Sequence, residues 1–198
     1  RVDSENANLR NQIDRLSGHQ LSENRFLADS RWPREWFKGK LILDAGCGAG
    51  RFADVAASLG ASVIATDISA AIEACRETVN VHSDKPFGSV QCIQASLFDL
   101  PLREGIFDGV YCMGVIQHTP DPFSLIRSLP SFLKPGGCLV YNFYEEGFWR
   151  RLQLIKYGLR LITPYLPVQS TLMMCKALVA IFFPLTKWLS FIPKIRLI

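Results

Sequence analysis

The chain has 198 residues, of which 48% are hydrophobic and 20% charged. This composition excludes a disordered chain, a collagen and a continuous coiled coil. The net charge of +4 hides a division, because residues 1–147 carry a net −4 and residues 148–198 carry +8 without a single acidic residue. We therefore expect three segments: an N-terminal helical segment (1–40), a domain (41–147) and a basic, apolar tail (148–198).

The six cysteines form no C-x-x-C pair and no cysteine–histidine cluster with zinc spacing. Reduced, buried thiols are typical of cytosolic proteins, and no secretory signal opens the chain. We therefore expect a cytoplasmic protein without a metal site. Because Arg1 is not an initiator methionine, we also expect a fragment.

The first 40 residues predict a helical segment. Leu9, Ile13 and Leu16 have weak helical spacing, and Pro33 suits a helix start among several aromatic residues. His19 and His82 lie in polar stretches, and we expect both on the surface.

From residue 41 onward, short apolar runs alternate with helical patterns. We predict strands over 41–45, 62–66, 89–94, 107–112 and 138–143, and helices over 51–59, 70–81 and 121 to about 133. Ser69 should cap the second helix, Pro130 should kink or end the third, and 134–137 should form a turn. This alternation predicts an α/β, Rossmann-like three-layer sandwich with a mostly parallel sheet, and ligands at the carboxyl ends of its strands.

A glycine-rich loop, Asp44-Ala-Gly-Cys-Gly-Ala-Gly50, follows the first predicted strand. Glycines here permit positive φ and let a ligand approach the backbone. Arg51 stands where a dinucleotide fingerprint needs its third glycine, which argues against an NAD-type oxidoreductase. Asp67 ends the second strand, where a carboxylate accepts hydrogen bonds from ribose hydroxyls or caps the next helix. Asp44 is placed to orient the loop or a ligand amine. Loop and acid together predict a nucleoside cofactor without a diphosphate.

The segment from Leu41 to Phe52 resembles motif I of class I S-adenosylmethionine-dependent methyltransferases, within which it is most similar to the small-molecule and quinone-type branch (methyltransferase type 11-like). Residues 94–101 resemble that family's adenine loop, 107–118 its fourth strand and following loop, and 121–137 its next helix and turn. The resemblance implies S-adenosylmethionine as cofactor. It also implies the cofactor-binding set Asp44, Gly46, Cys47, Gly48, Ala49, Gly50, Asp67, Ile68, Ser96, Leu97 and Met113.

The sequence departs from that family at three places. Ser96 replaces an aspartate that contacts the adenine amino group, which should weaken binding by about 1 kcal/mol. Gly114 and Gln117 stand where some quinone methyltransferases have glutamates, so we expect no magnesium site. The final β-hairpin of the family sheet has no counterpart after residue 143, which we explain by truncation within an insertion.

His118 is the single titratable candidate for a general base near the fourth strand, and the alternative is a structural role in the site wall. In-line methyl transfer depends mostly on positioning, so a base is needed only for acceptors of high pKa.

The tail has helical spacing over 150–162, a mostly apolar stretch over 171–183, aromatic residues and only positive charges. Ala177–Thr186, interrupted at Pro184, is too short to span a bilayer. We expect a helical cap over the site, with peripheral membrane contact as one alternative and an oligomer contact as another.

The sequence thus predicts transfer of a methyl group from S-adenosylmethionine to a small, lipophilic acceptor. No signature of a nucleic-acid methyltransferase is present, so we expect no nucleic-acid partner. The rival hypothesis is a non-catalytic methyltransferase fold that binds a membrane surface or a protein partner. The oligomeric state is open.

Overall fold

The computed structural model describes residues 13–82, 88–143, 158, 161 and 163–189. The chain divides into two compact units, Arg1–Tyr144 and Glu145–Ile198.

The first unit is built on a five-stranded, fully parallel sheet. Its strands are β1 (Leu41–Ala45), β2 (Ser62–Asp67), β3 (Val90–Gln94), β4 (Phe107–Met113) and β5 (Leu133–Asn142), in the spatial order β3-β2-β1-β4-β5. The helices are α1 (Asp14–Ser17), α2 (Leu21–Ser30), α3 (Arg51–Ser58), α4 (Ala71–Val79) and α5 (Pro122–Ser128). The predicted α/β class and Rossmann-like sandwich are confirmed. Strands β2 and β3 lie on one side of β1, and β4 and β5 lie on the other, which places the topological switch point beside the glycine loop that follows β1.

Alternation along the strands divides the core between the two faces of the sheet. Ile42 and Tyr111 face one cluster, which includes the aromatic side chains of the N-terminal segment. Leu43 and Val110 face the other cluster, beneath α5. Burial on both faces explains why β1 and β4 read as short apolar runs.

Phe26 of α2 joins the N-terminal segment to the sheet. Its ring centroid lies 4.9 Å from that of Tyr111 and 5.4 Å from that of Phe52. Trp32 and Trp36 lie over Gly109 of β4, where a Cβ would come within 2.8 Å of each indole. The aromatic side chains between residues 21 and 37 therefore belong to the hydrophobic core of the first unit or pack against it.

Three sequence predictions about local structure need correction. Residues 134–137 lie inside β5, not in a turn before it, and are accommodated by an irregularity between the Phe107–Leu133 and Gly109–Cys138 pairs. The second helix starts at Ala71, with Ala70 at its N-cap, although Ser69 Oγ accepts a hydrogen bond from the Ala71 N–H at 3.2 Å. It ends at Val79 and continues as the 3₁₀ helix Asn80–His82. Pro130 acts as predicted, because α5 ends at Ser128 and a 3₁₀ turn follows.

His82 was expected on the surface, and that prediction is wrong. Its side chain is 2% exposed, and its Nε2 lies 2.9 Å from Oδ1 of the buried Asp54. Arg15 donates to the same oxygen at 2.8 Å and also to the Thr78 carbonyl. Asp54, distant in sequence, compensates the burial of Nε2, whereas Nδ1 has no hydrogen-bond partner among the described residues. A local polarity pattern does not reveal such a contact. His19 is exposed, as predicted.

The second unit contains the helix α6 (Val168–Leu189), preceded by the 3₁₀ turn Thr163–Tyr165. The helix passes through Pro184, where the sequence predicted a break. Proline removes one backbone hydrogen bond, but the helix does not end there. In the fully described part of the chain, no helix is long and apolar enough to cross a membrane. The predicted helix over 150–162 lies mostly outside the described residues.

Candidate active site

The glycine loop between β1 and α3 is tied to β2. The N–H groups of Gly46 and Cys47 both donate to the Thr66 carbonyl, at 2.8 and 2.9 Å. Gly46 has φ +90°, and a Cβ there would lie 2.5 Å from Val115 Cγ2. Gly48 has φ +52° and nothing within 4 Å of its missing Cβ, so its backbone faces open space. The loop is therefore crowded at its start and accessible at its centre.

Asp67, at the end of β2, is fixed by three hydrogen bonds. Its Oδ2 accepts from the Gly48 N–H at 2.8 Å, and its Oδ1 accepts from the Ser69 N–H at 2.9 Å and the Ser69 hydroxyl at 2.7 Å. This carboxylate is thus attached to the centre of the glycine loop and to the turn before α4. A carboxylate has about four acceptor positions, so a ligand hydroxyl finds one vacant on Oδ2.

The carboxyl group of Asp44 is almost completely buried. It is 3% exposed, and burial raises its pKa from 3.8 to about 8. Its strand partner Tyr111 lowers that pKa in part, and the charge of Asp67 raises it further. However, Oδ2 of Asp44 and the Tyr111 hydroxyl both lack a hydrogen-bond partner of acceptable geometry among the described residues. Asp44 Oδ2 is therefore a buried acceptor that a cationic ligand group would satisfy.

Two cavities meet at the loop. One, of about 320 Å³, is lined by the predicted residues Asp44, Gly46, Cys47, Gly48, Ala49, Asp67 and Met113. The other, of about 290 Å³, is lined by the predicted residues Gly46, Asp67, Ile68, Ser96, Leu97 and His118. Gly50 lines neither of them and is the N-cap of α3. The structure therefore brings together eleven of the twelve residues singled out from the sequence.

Several lining residues were missed. The first cavity is also lined by Ile13, Arg51, Phe52, Gly114 and Val115, and the second by Phe98, Val115, Thr119 and Pro120. Arg51, Phe52 and Val115 lie next to residues of the recognised motifs. Their position in the sequence could therefore have indicated that they line the site. Ile13 comes from the N-terminal segment, and nothing in its local sequence indicates a site.

Asn142 was missed as well. Its Oδ1 accepts from the Gly114 N–H at 2.6 Å and so holds the loop after β4 against the end of β5. The contact depends on the pairing of β4 with β5, which the sequence by itself does not specify. Sequence reasoning therefore gave no sign of a role for Asn142.

Gln117 lies beside the cavities but does not line them. Both polar atoms of its side-chain amide are buried and have no hydrogen-bond partner in the described part of the chain. Within that same part, no group of three or more histidine, cysteine, aspartate or glutamate residues could hold a metal ion.

A model of the methyltransferase domain family matches residues 43–141, which is half of the chain. The chain belongs to this methyltransferase domain family. The match runs from within β1 to within β5 and includes all the predicted cofactor-binding residues.

Curated relatives support the same assignment. A ubiquinone biosynthesis O-methyltransferase from Xanthomonas campestris pv. campestris is 38% identical over 105 residues, which cover 52% of this chain and 43% of the relative. The protein of that name from Vibrio parahaemolyticus is 34% identical over the same shares of both chains. The chain thus spans less than half the length of these relatives.

Solved structures show the fold. An S-adenosylmethionine-dependent methyltransferase from Mesorhizobium loti matches with a TM-score of 0.50 and 27% identity, over 61% of this chain and 52% of the other. The cyclase SpnF matches with a TM-score of 0.51 and 22% identity, over 61% of this chain and 42% of the other. A cyclase among the similar folds means that the fold alone does not determine the reaction.

Proposed function

We propose that this chain is the cofactor-binding part of an enzyme that transfers a methyl group from S-adenosylmethionine to a small, lipophilic acceptor. The observation that carries the proposal is the hydrogen bond between Gly48 and Asp67, which fixes a carboxylate at the mouth of the glycine loop. Family membership over residues 43–141 supports the same reaction class.

The cavity residues fit the parts of this cofactor. Asp67 keeps one acceptor position for a ribose hydroxyl, and the unpartnered Asp44 Oδ2 suits the cofactor's ammonium group. Ile68, Leu97 and Phe98 provide an apolar wall for a flat base. Ser96 Oγ already accepts from the Phe98 N–H at 3.3 Å, so it is a weaker partner for an adenine amino group than a carboxylate would be.

The bound cofactor supplies an electrophilic methyl group on a sulfonium. The residues of the chain bind and orient it and exclude water, which accounts for most of the rate enhancement of an in-line displacement. Ile13, Phe52, Met113 and Val115 give the first cavity apolar walls, which favour a lipophilic acceptor. The names of the curated relatives indicate acceptors of the quinone type and an oxygen as the acceptor atom.

His118 is exposed and lines the cavity that also contains Ile68 and Leu97. His118 lies among the residues proposed to surround the adenine. This position favours a role in shaping the cavity over a role as general base. As a general base, His118 would give a kcat that falls with decreasing pH, and His118→Gln would abolish that dependence. As a wall residue, it would change the KM for the cofactor and leave the pH profile of kcat unaltered.

The deciding experiment is calorimetric titration with S-adenosylhomocysteine, the product of the proposed reaction. We expect binding in the micromolar range and a loss of roughly tenfold or more in Asp67→Asn. Asp29→Asn on α2 is the matched control, because Asp29 is a carboxylate outside both cavities. No binding to a folded sample, or equal binding by Asp67→Asn, would overturn the assignment. Turnover with phenolic and quinol acceptors then tests the substrate class.

A further inference from the structure

The second unit contains a surface that methyl transfer does not explain. On α6, six exposed side chains are apolar and large: Leu172, Met173, Val179, Ile181, Phe182 and Phe183. Ile181 is 66% exposed and Phe182 is 49% exposed, values typical of surface residues. A helix of 22 residues is about 33 Å long, so this is an extended apolar surface.

Gln169 and Lys176 are the two largest polar side chains among those that the structure describes on α6, and they lie on one line along the helix. At 100° per residue, these two side chains fall within about 20° of each other around the helix axis. Leu172, Val179 and Phe182 occupy the neighbouring arc, about 80° wide. A polar line that carries a lysine, beside a wide apolar arc, is the arrangement of helices that lie in a membrane interface.

The charge of the segment distinguishes between occupants of this surface. Residues 148–198 contain eight lysines and arginines and no acidic residue. Two copies of this segment would repel each other, which argues against self-association through α6. A uniformly negative surface complements it, and an anionic bilayer also accepts exposed leucine and phenylalanine side chains without specific pockets.

The position of Lys176 distinguishes lying in the interface from spanning the bilayer. Lys176 is the ninth residue of the 22-residue helix, so a spanning orientation would place its ammonium near the hydrocarbon centre. A helix parallel to the surface leaves the same ammonium among the lipid headgroups, with its alkyl stem along the apolar arc.

We propose that α6 docks the protein on an anionic lipid bilayer, lying in the interface with Leu172, Val179 and Phe182 in the acyl region and with Gln169 and Lys176 at the headgroups. This role is independent of methyl transfer. It would hold the protein at the phase where lipophilic molecules concentrate.

The test is flotation of the whole 198-residue chain with vesicles of phosphatidylcholine containing phosphatidylglycerol, and with vesicles of phosphatidylcholine alone. We expect binding to the anionic vesicles that weakens as salt rises, and at least about tenfold weaker binding to the neutral ones. Phe182→Glu should reduce anionic-vesicle binding roughly tenfold, because it places a charge in the acyl region. Phe123→Glu, at an exposed phenylalanine of α5, is the matched control and should bind as the unaltered protein does.

A charge variant provides a second, milder test. Lys176→Glu should weaken binding to anionic vesicles and leave binding to neutral ones unchanged, whereas the control Lys38→Glu, at an exposed lysine of the first unit, should have no effect. Circular dichroism verifies that each variant retains its helix content.

Three results would overturn the proposal. Equal binding to neutral and anionic vesicles, or none to either, would exclude an anionic bilayer as the partner. Dimers that Phe182→Glu dissociates, without any vesicle binding, would assign the surface to a second copy. Resistance to extraction at alkaline pH would show a spanning helix instead of an interfacial one.

Discussion

The N–H of Gly48 donates to Oδ2 of Asp67 at 2.8 Å, joining the centre of the glycine loop to the end of β2. The contact orients the carboxylate before any ligand arrives. It also uses one of the acceptor positions of that carboxylate, and Ser69 uses two more through its N–H and hydroxyl. Asp67 is therefore preorganised but nearly saturated, so the Ser69 hydroxyl and the second ribose hydroxyl compete for Oδ1.

Ser69→Ala tests this competition. Removing the hydroxyl frees a position on Oδ1 while the Ser69 backbone N–H still holds the carboxylate, so we expect affinity for S-adenosylhomocysteine to stay within about threefold of the original, or to rise. The helix start should lose about 0.5–1 kcal/mol, because Ser69 Oγ accepts from the Ala71 N–H. A loss of affinity as large as that of Asp67→Asn would instead show that the hydroxyl positions the carboxylate.

Gly46→Ala should destabilise the fold through both backbone strain and a steric collision. The positive φ costs about 1–2 kcal/mol, and the collision with Val115 adds about 1–3 kcal/mol. Gly136→Ala is the matched control, since Gly136 has φ +79° and nothing within 4 Å of its missing Cβ. The measurement is urea unfolding of both variants.

Val115→Ala should relieve the collision and leave the strain. In a double-mutant cycle, Gly46→Ala should therefore cost less in the Val115→Ala background than alone. An equal loss of unfolding free energy in both backgrounds would mean that the Val115 side chain moves aside without destabilising the fold.

Asp44 should make stability depend on pH. Its pKa is about 8 in the folded protein and near 3.8 when unfolded, so the folded state holds the extra proton between those values. The contribution of this group to stability is thus greatest below pH 3.8, declines as pH rises to about 8 and is constant above. Asp44→Asn mimics the protonated form, so its advantage over the unaltered protein should grow by at most about 1.4 kcal/mol per pH unit across that window. Thermal unfolding across the pH range measures it, and a difference that does not vary with pH would contradict it.

The same carboxyl should release a proton when the cofactor binds. Near pH 6.5 Asp44 is protonated in the free protein, and a cationic amine at Oδ2 favours its ionised form. Titrations with S-adenosylhomocysteine in buffers of different ionisation enthalpy should show close to one proton released, and none in Asp44→Asn. Equal heats in all buffers would mean that the amine binds elsewhere.

The buried group formed by Arg15, Asp54 and His82 should contribute strongly to stability. Asp54→Ala leaves a buried imidazole and a half-buried guanidinium without their partner, so we expect a loss of about 3 kcal/mol in denaturant unfolding. Asp29→Ala removes the partner of Arg25 in an exposed pair and should change stability little. Similar losses of stability in both variants would show that the buried group stabilises the fold no more than an exposed ion pair does.

The sequence by itself predicted many of the residues that line the two cavities. The glycine loop, the acid at the end of β2 and the loops after β3 and β4 are local patterns, because the chemistry of each lies in consecutive residues. Parallel strands place their carboxyl ends at one edge of the sheet, so Asp67 and Ser96 were expected to meet the glycine loop although they are distant in sequence. The same logic gave the five strands and the α/β class.

Tertiary structure alone decided the features that depend on partners far apart in the chain. His82 appeared to be a surface residue until Asp54 and Arg15 were found beside it, because compensation for burying an imidazole comes from other elements. Ile13 became a wall of the cavity, and Asn142 an anchor for Gly114, through packing that no local pattern encodes. The raised pKa of Asp44 likewise results from burial of its carboxyl group in the folded protein. Local sequence determines where backbone geometry and chemistry lie along the chain. Solvent exclusion and long-range hydrogen bonds exist only in the folded molecule, and they decide which of those groups are buried, paired or free to bind.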